Sequence, residues 1–274
     1  MTHHAMNSPR SRGPRSSVKW IAILTAVAFV AAVLLPAMPQ PVDYHDFADH
    51  RHAFGIANFL DVMSNAAFLV VGLWGLFIIA RGRGAFEYPA ERWPYVTFFI
   101  GVTLTAAGSG YYHLAPDNMT LFWDRLPMTI AFMGLVSSQM VDRVSVRAGL
   151  WLLLPALIIG AASVIYWRST ELLGVGNVMP YAILQGYSIL VVLLLACFYP
   201  SRYTHGNDLF WVFGGYMVSK VLETFDREFM LFNHDIVSGH TLKHLAAALA
   251  CWAICHMLMK RTLRPALEAS RGSR

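Results

Sequence analysis

The stretch Gly108-Ser109-Gly110-Tyr111-Tyr112-His113 closes an apolar run with a hydroxyl and an imidazole, and His240-Thr241-Leu242-Lys243-His244 repeats the pattern much later in the chain. In a helix, residues four apart lie on the same face, so Ser109 stacks with His113 and His240 stacks with His244. Both stretches lie in a sequence that is otherwise mostly apolar. The combination predicts a metal ion held between helices of a membrane bundle.

The composition excludes an ordinary soluble domain. The 274 residues are 56% hydrophobic and 14% charged, with a mean hydropathy of +0.48, whereas soluble domains carry about 25% charged residues. We therefore expect an all-α, multi-pass integral membrane helix bundle. The formal net charge of +5 concentrates at the two ends and in short loops, which indicates positive-inside topology rather than a nucleic-acid partner.

The apolar stretches have about the length that crosses a hydrocarbon core, which takes roughly 20 residues. Spans are predicted at residues 20–38, 57–80, 93–113, 119–141, 149–167, 178–199, 208–230 and 238–259. The first is predicted as an extra N-terminal helix, and residues 39–259 as a seven-helix domain. A cleaved signal peptide is the alternative for residues 20–38, but Pro36-Ala37-Met38-Pro39 is a poor cleavage site.

Loop charges predict the orientation of the helices. With a cytoplasmic N-terminus, the loops on that side carry most of the arginines and lysines, as the positive-inside rule requires. Residues 1–19, expected to be disordered, and residues 260–274 are then basic cytoplasmic tails. Five titratable residues fall near the non-cytoplasmic ends of their helices: His113, Asp124, Glu223, Asp226 and His240. One shared site is expected near that face.

Three histidines are the predicted metal ligands. His240 and His244 present imidazoles from one helix face, and His113 can add a third from another helix. Three neutral imidazoles leave one position of a tetrahedral zinc ion for water, which is the arrangement of catalytic zinc sites. The alternative is that these histidines only form hydrogen bonds between helices.

Asp124 and Ser109 are the predicted catalytic residues. The Asp124 carboxylate could orient or deprotonate the water, or hold a metal-bound histidine, and its structural alternative is an ion pair with Arg125. The Ser109 hydroxyl could donate to the oxyanion of a tetrahedral intermediate, or it could bond to backbone carbonyls.

Other polar residues of the spans are predicted to be structural. Lys220 and Glu223 can pair at i,i+3. Asp61, Ser64 and Asn65 are expected to form hydrogen bonds between helices.

Several motifs occur in the order seen in alkaline ceramidases. They are Asn58-Phe-Leu-Asp-Val-Met-Ser-Asn65, Gly108 to His113, Trp123-Asp-Arg-Leu-Pro-Met128, Lys220-x-x-Glu223-x-x-Asp226 and His240-x-x-x-His244. Over about residues 43–259 the chain thus resembles this family, whose superfamily includes adiponectin-type receptors. The resemblance implies a seven-helix bundle with zinc on the three histidines and Ser109 and Asp124 beside it. It also implies hydrolysis of the ceramide amide to a sphingoid base and a fatty acid.

Family members also bind calcium through an acidic loop before the first shared helix. The carboxylates that match this loop are Asp43, Asp46 and Asp49. The chain departs from the family pattern at Asn58, where a glutamate is expected, at Arg125, which replaces an acid, and at Lys243, which replaces an aromatic residue. Calcium binding and substrate preference therefore stay open.

Two other classes of function also stay open. A metal-containing seven-helix receptor or sensor would keep the metal for structure and would need no reactive water. An ion or proton carrier would use Lys220, Glu223 and Asp226 as a relay, although these charges cluster toward one face instead of lining a full path. For the hydrolase, the expected partner is a membrane lipid such as ceramide, and the sequence does not separate an amide from an ester substrate.

Overall fold

The protein is about 76% helical, and no β-strand occurs within residues 14–264, the part of the chain that the computed structural model describes. The fold class is therefore the predicted all-α helix bundle. In chain order the α-helices are α1 (Pro14–Leu34), α2 (Phe59–Ser64), α3 (Ala66–Ala80), α4 (Arg92–Leu114), α5 (Asn118–Arg143), α6 (Val146–Leu172), α7 (Met179–Phe198), α8 (Leu209–Thr224), α9 (Asp226–Phe232) and α10 (Gly239–Lys260).

Two predicted spans are broken helices. The span at 57–80 is interrupted at Asn65, which separates α2 from α3, and the span at 208–230 is interrupted at Phe225, which separates α8 from α9. At the first break, Asn65 Nδ2 donates to the carbonyl oxygen of Asp61 at 2.7 Å. The Asn65 side chain therefore bonds within its own segment and not between helices.

The first helix is displaced toward the N-terminus relative to the prediction of residues 20–38. It begins at Pro14 and ends at Leu34, so residues 14–19 are helical and not a disordered tail. The early end follows from Pro36, because the residue before a proline is disfavoured in the helical conformation. Residues 1–13 and 265–274, which hold the rest of the predicted tails, lie outside the described residues.

The described helices fit a membrane protein. Four are long and apolar enough to cross a bilayer, namely Phe59–Ala80, Val146–Leu172, Met179–Phe198 and Gly239–Lys260, and Lys19–Leu34 is a shorter apolar helix. Large apolar side chains also cover the outside of the bundle. On α6, Trp151 is 74% exposed and Leu154 is 66% exposed, which suits a surface that faces lipid and not water.

Six helices form a closed ring. Going around it, α3 contacts α4, α4 contacts α5, α5 contacts α7, α7 contacts α8, α8 contacts α10, and α10 returns to α3. α6 packs outside the ring against α5 and α7, and α1 packs against α7. A cavity lies within the ring.

The loops meet at two opposite ends of the ring. At one end, which we call the histidine end, Ala48 N–H donates to Asp226 Oδ2 and Val178 N–H donates to the carbonyl oxygen of Met38, both at 2.8 Å. At the other end, Arg202 binds Glu87 and Glu91 and its N–H donates to the carbonyl oxygen of Asp142. The grouping of loops agrees with the alternation inferred from their charges.

Candidate functional site

The histidines lie in terminal turns of α4 and α10 at the histidine end. α4 ends two residues before Pro116, where proline disfavours further helix, so His113 lies in its last turn. α10 is capped by Ser238, whose Oγ accepts the Thr241 N–H at 2.9 Å, so His240 lies in its first turn. Both helix boundaries follow from the local sequence. The tertiary structure then brings these two helix ends together.

The three predicted ligands form one buried cluster. His113, His240 and His244 each offer a ring nitrogen within 4.8 Å of the others, and no other group of three His, Cys, Asp or Glu side chains is close enough among the described residues. His113 Nε2 lies 3.2 Å from His240 Nε2. Two nitrogens bound at about 2.0–2.1 Å to a tetrahedral zinc ion lie roughly 3.3 Å apart. The three histidines could therefore hold a metal ion.

Ser64 is a hydrogen-bond partner of His244. The Ser64 hydroxyl lies 3.0 Å from the carbonyl oxygen of Asp61 and 2.7 Å from His244 Nδ1. A serine that donates to Asp61 accepts from Nδ1–H, and this arrangement leaves the lone pair on Nε2. Such an outer partner orients a ligand for metal binding. His113 Nδ1 has no hydrogen-bond partner among the described residues.

The short helix α2 ties the two histidine-bearing helices together. Asn58 Nδ2 donates to the carbonyl oxygen of His113 at 2.9 Å, and the Asp61 carboxylate accepts from Thr241 Oγ1 at 2.5 Å and from Ser238 Oγ at 3.3 Å. Asp61 is fully buried. The predicted structural role of Asp61 is confirmed.

A phenylalanine from the first loop covers the histidine cluster. The buried Phe47 ring lies 4.8 Å from the ring of His113 and 4.2 Å from that of His240. Asp226 holds this loop to α10, since its carboxylate accepts from the N–H of Ala48 at 2.8 Å and from the N–H of His240 at 2.7 Å. The Phe47 ring therefore covers this side of the cluster.

Asp124 and Ser109 lie together beside the cluster. Both residues line the cavity in which His244 also lies. The approach of α4 to α5 depends on Gly108, where an added Cβ would lie 2.0 Å from the carbonyl oxygen of Trp123. Asp124 has no ion pair with Arg125 and no hydrogen bond to a histidine within residues 14–264, so neither of those two alternatives is seen.

The cavity extends from this site into the bundle. Its volume is about 390 Å³. Its histidine end is polar, with His244, Ser109 and Asp124 in the wall. Its far end is apolar and is lined by residues of α4, α5, α8 and α10, such as Phe98, Leu135, Val212 and Cys251. The space is amphipathic along its length.

A salt bridge predicted within α8 includes a third residue. Lys220 binds Glu223 as the i,i+3 spacing predicts, and Lys243 of α10 binds the other carboxylate oxygen at 2.6 Å. All three side chains line the cavity. Two ammonium groups therefore share one carboxylate in its wall.

The predicted calcium ligands do not converge. Asp43, Asp46 and Asp49 form no metal-binding group among the described residues. Asp46 pairs with Arg227 at 2.6 Å, and the buried Asp49 accepts two hydrogen bonds from the guanidinium of Arg51, at 2.8 and 2.6 Å. A calcium site on these three carboxylates stays a prediction that their observed partners do not support. Arginine charges already compensate two of them.

The pKa of Asp49 reflects this pairing. Burial acts to raise the pKa of the carboxyl group, but the hydrogen bonds and the positive charge of Arg51 outweigh burial and lower it below its ordinary value. The negative charge of Asp49 is thus compensated by Arg51 within the protein.

Sequence reasoning missed Phe47, which carries no signal that would separate it from other loop aromatics. The hydrogen bond between helices that was predicted for Ser64 is present. Its partner His244 was not predicted, because the two residues lie 180 positions apart in the chain.

The sequence matches no protein-family model and no curated protein.

Proposed function

We propose that the protein is a zinc-dependent membrane hydrolase that cleaves the amide bond of ceramide or a related lipid amide to a sphingoid base and a fatty acid. The observation that carries this proposal is the junction between the three-histidine cluster and an amphipathic cavity, with Asp124 and Ser109 beside His244. A structural metal would need neither a cavity nor a carboxylate at the junction.

His113, His240 and His244 would hold the zinc ion. Zinc bound by three neutral imidazoles supplies Lewis acidity and makes water nucleophilic near neutral pH. The hydrogen bond from His244 to Ser64 keeps Nε2 free to bind, and Phe47 keeps bulk water away from His113 and His240.

The remaining steps fall to Asp124 and Ser109. The Asp124 carboxylate accepts a proton from the attacking water and returns it to the leaving nitrogen. The Ser109 hydroxyl donates to the oxygen of the carbonyl as negative charge develops there. One water is thereby added across the C–N bond, giving a carboxylic acid and an amine.

The apolar wall suits an acyl chain. On α4 it extends from Ser109 to Phe98, eleven residues apart, which is about 16 Å at 1.5 Å per residue. That is about half of the roughly 30 Å hydrocarbon core and so matches the chains of one leaflet. In this proposal the seven spans after α1 enclose the site, both termini are cytoplasmic, and the site lies near the opposite face.

The test is mass spectrometry of a panel of lipid amides and esters incubated with the purified full-length protein, with and without a zinc chelator. We expect hydrolysis that the chelator abolishes and zinc restores. His244→Ala should lose both stoichiometric zinc and hydrolysis, because it removes a ligand.

Asp124→Asn separates the hydrolase from a receptor that uses zinc for structure. It should keep the zinc but lose roughly 10²- to 10⁴-fold in rate, as expected for removal of a general base. Full turnover by the zinc-free His244→Ala protein, or no turnover of any lipid by the zinc-loaded wild type, would contradict the proposal.

A further inference from the structure

Arg125 is a buried arginine held in an aromatic cage. It is 6% exposed, and its guanidinium carbon lies 5.6 Å from the ring centre of Tyr44, 4.4 Å from that of Trp167 and 4.9 Å from that of Tyr181. Nη2 donates to Gln40 Oε1 at 2.6 Å. The cage and the amide hold the side chain in one position.

No carboxylate is paired with this guanidinium within residues 14–264. Among the described residues, Arg125 has no carboxylate within 4 Å, and its buried Nη1 has no hydrogen-bond partner. Arginine stays charged in proteins, and a buried charge without a hydrogen-bonded counterpart is costly. Aromatic faces attract a cation, but they do not supply the acceptor that Nη1 lacks.

Arg125 also lines the cavity of the candidate site. It follows Asp124 on α5, and its cage residues Tyr44 and Tyr181 line the same space. Lys220 and Lys243 are in the wall too, but both already bind Glu223. Among the described residues, Arg125 is therefore the cation of this wall that has no carboxylate partner.

We propose that Arg125 binds an oxyanion carried by the lipid ligand, such as a carboxylate, phosphate or sulfonate. The planar guanidinium suits such groups because it can donate two parallel hydrogen bonds. The oxyanion belongs either to the head group of the substrate or to the released fatty acid. The assignment of the oxyanion to either source rests on the proposed hydrolase function, whereas the binding of an anionic lipid does not depend on that function.

The binding test compares dodecyl phosphate, dodecanoate and dodecanol on the full-length protein in a neutral maltoside detergent, by isothermal titration. We expect Arg125→Met to weaken binding of both anions about 10- to 100-fold, the value of a charge-assisted hydrogen bond, and to leave dodecanol unchanged. The control is Arg147→Met, which removes an exposed arginine at the start of α6. The histidine cluster is the same in all these proteins, so any attraction between metal and anion is common to them.

Equal losses for the anions and dodecanol, or no loss for the anions, would overturn the proposal. If Arg125→Met does not accumulate, Arg125→Gln removes the charge and keeps a hydrogen-bond donor, with the same expectation. Arg125→Lys, which keeps the charge without the planar fork, should fall between Arg125→Met and the wild type.

Hydrolysis of N-dodecanoylglycine and N-dodecanoylethanolamine then assigns the source of the oxyanion. A loss of kcat/KM for the glycine conjugate alone in Arg125→Met indicates an anionic head group. Unchanged kcat/KM for both substrates with weaker inhibition by dodecanoate indicates the released fatty acid. If neither substrate is cleaved by any protein, the hydrolase proposal fails, while the titration still decides whether Arg125 binds the oxyanion.

Discussion

At the scale of single residues, the chemistry of His244 depends on Ser64. Either ring nitrogen of a neutral histidine can carry the proton, and the 2.7 Å contact of Nδ1 with the serine hydroxyl favours the tautomer with the lone pair on Nε2. Asp61 enforces this choice, since its carbonyl oxygen accepts the serine proton. The metal affinity of the cluster should therefore depend on a residue that cannot itself contact the metal.

Ser64→Ala should weaken zinc binding about 10- to 100-fold, the usual cost of losing an outer partner of a histidine ligand. A zinc titration in competition with a chelating dye measures this. The matched control is Ser137→Ala, which removes a fully buried hydroxyl that has no hydrogen-bond partner among the described residues. Unaltered zinc affinity in the Ser64 variant would mean that the serine does not orient His244.

At the scale of elements, the α4–α5 contact places Ser109 beside Asp124. Glycines permit it on both helices. An added Cβ at Gly101 would lie 2.4 Å from the backbone nitrogen of Ala131, and one at Gly134 would lie 2.6 Å from that of Phe98. Gly108 makes the closest approach of these, at the site itself. Small residues at helix interfaces are the usual way to bring helices together in membranes.

Gly108→Ala should destabilise the protein by about 1–3 kcal/mol, because the added methyl group overpacks the interface. It should also lower the hydrolytic rate by moving Ser109 away from Asp124. Gly110→Ala is the control two residues later. No atom lies within 4 Å of its Cβ position, so alanine there should stabilise the helix by up to about 1 kcal/mol. Thermal unfolding in detergent compares the two, and equal effects would refute the interface argument.

At the scale of the whole molecule, the loops of the histidine end connect the beginning of the chain to its last helices. Arg51 binds Asp49 and also donates to the carbonyl oxygens of Asp235, at 2.7 Å, and Ile236, at 3.0 Å. These contacts join segments about 185 residues apart. The same loop carries Phe47, so the hydrogen bonds of Arg51 also help to hold the Phe47 ring over the histidines.

Asp49→Asn should cost about 2 kcal/mol at pH 7, in the range of a hydrogen bond to a charged group. The pKa of Asp49 is lowered in the folded protein, so its stabilisation is present above the ordinary carboxyl pKa of about 3.9 and is lost as the pH falls through the folded value. The difference from wild type should therefore shrink below about pH 4.

Asp46→Asn is the control for the Asp49–Arg51 pair. It breaks an ion pair between two exposed side chains, Asp46 and Arg227, and exposed pairs contribute about 0–1 kcal/mol. The pH dependence of the unfolding temperature measures both variants. A gap between Asp49→Asn and wild type that stays constant down to pH 3 would contradict the role assigned to the Asp49–Arg51 pair.

The sequence by itself determined the helices, because helix formation in this chain depends on local apolar length and on local stop signals. Pro116 and Ser238 set the boundaries that put His113 and His240 at helix ends. The shared faces of Ser109 with His113 and of His240 with His244 follow from helical periodicity alone. The breaks at Asn65 and Phe225 are not predicted, because no proline or glycine marks either position.

Tertiary structure alone decided which groups meet. The convergence of α4 and α10, the partner of Ser64 and the cover provided by Phe47 all depend on contacts between residues far apart in the chain, which periodicity cannot pair. The partners of the acidic loop also depend on the fold. Its composition predicted calcium, whereas in the structure Asp49 pairs with Arg51 and Asp46 pairs with Arg227. Arg125 is a further example of a residue whose environment only the fold determines. Its burial and its aromatic partners depend on α6, α7 and the first loop, which the sequence does not place beside it.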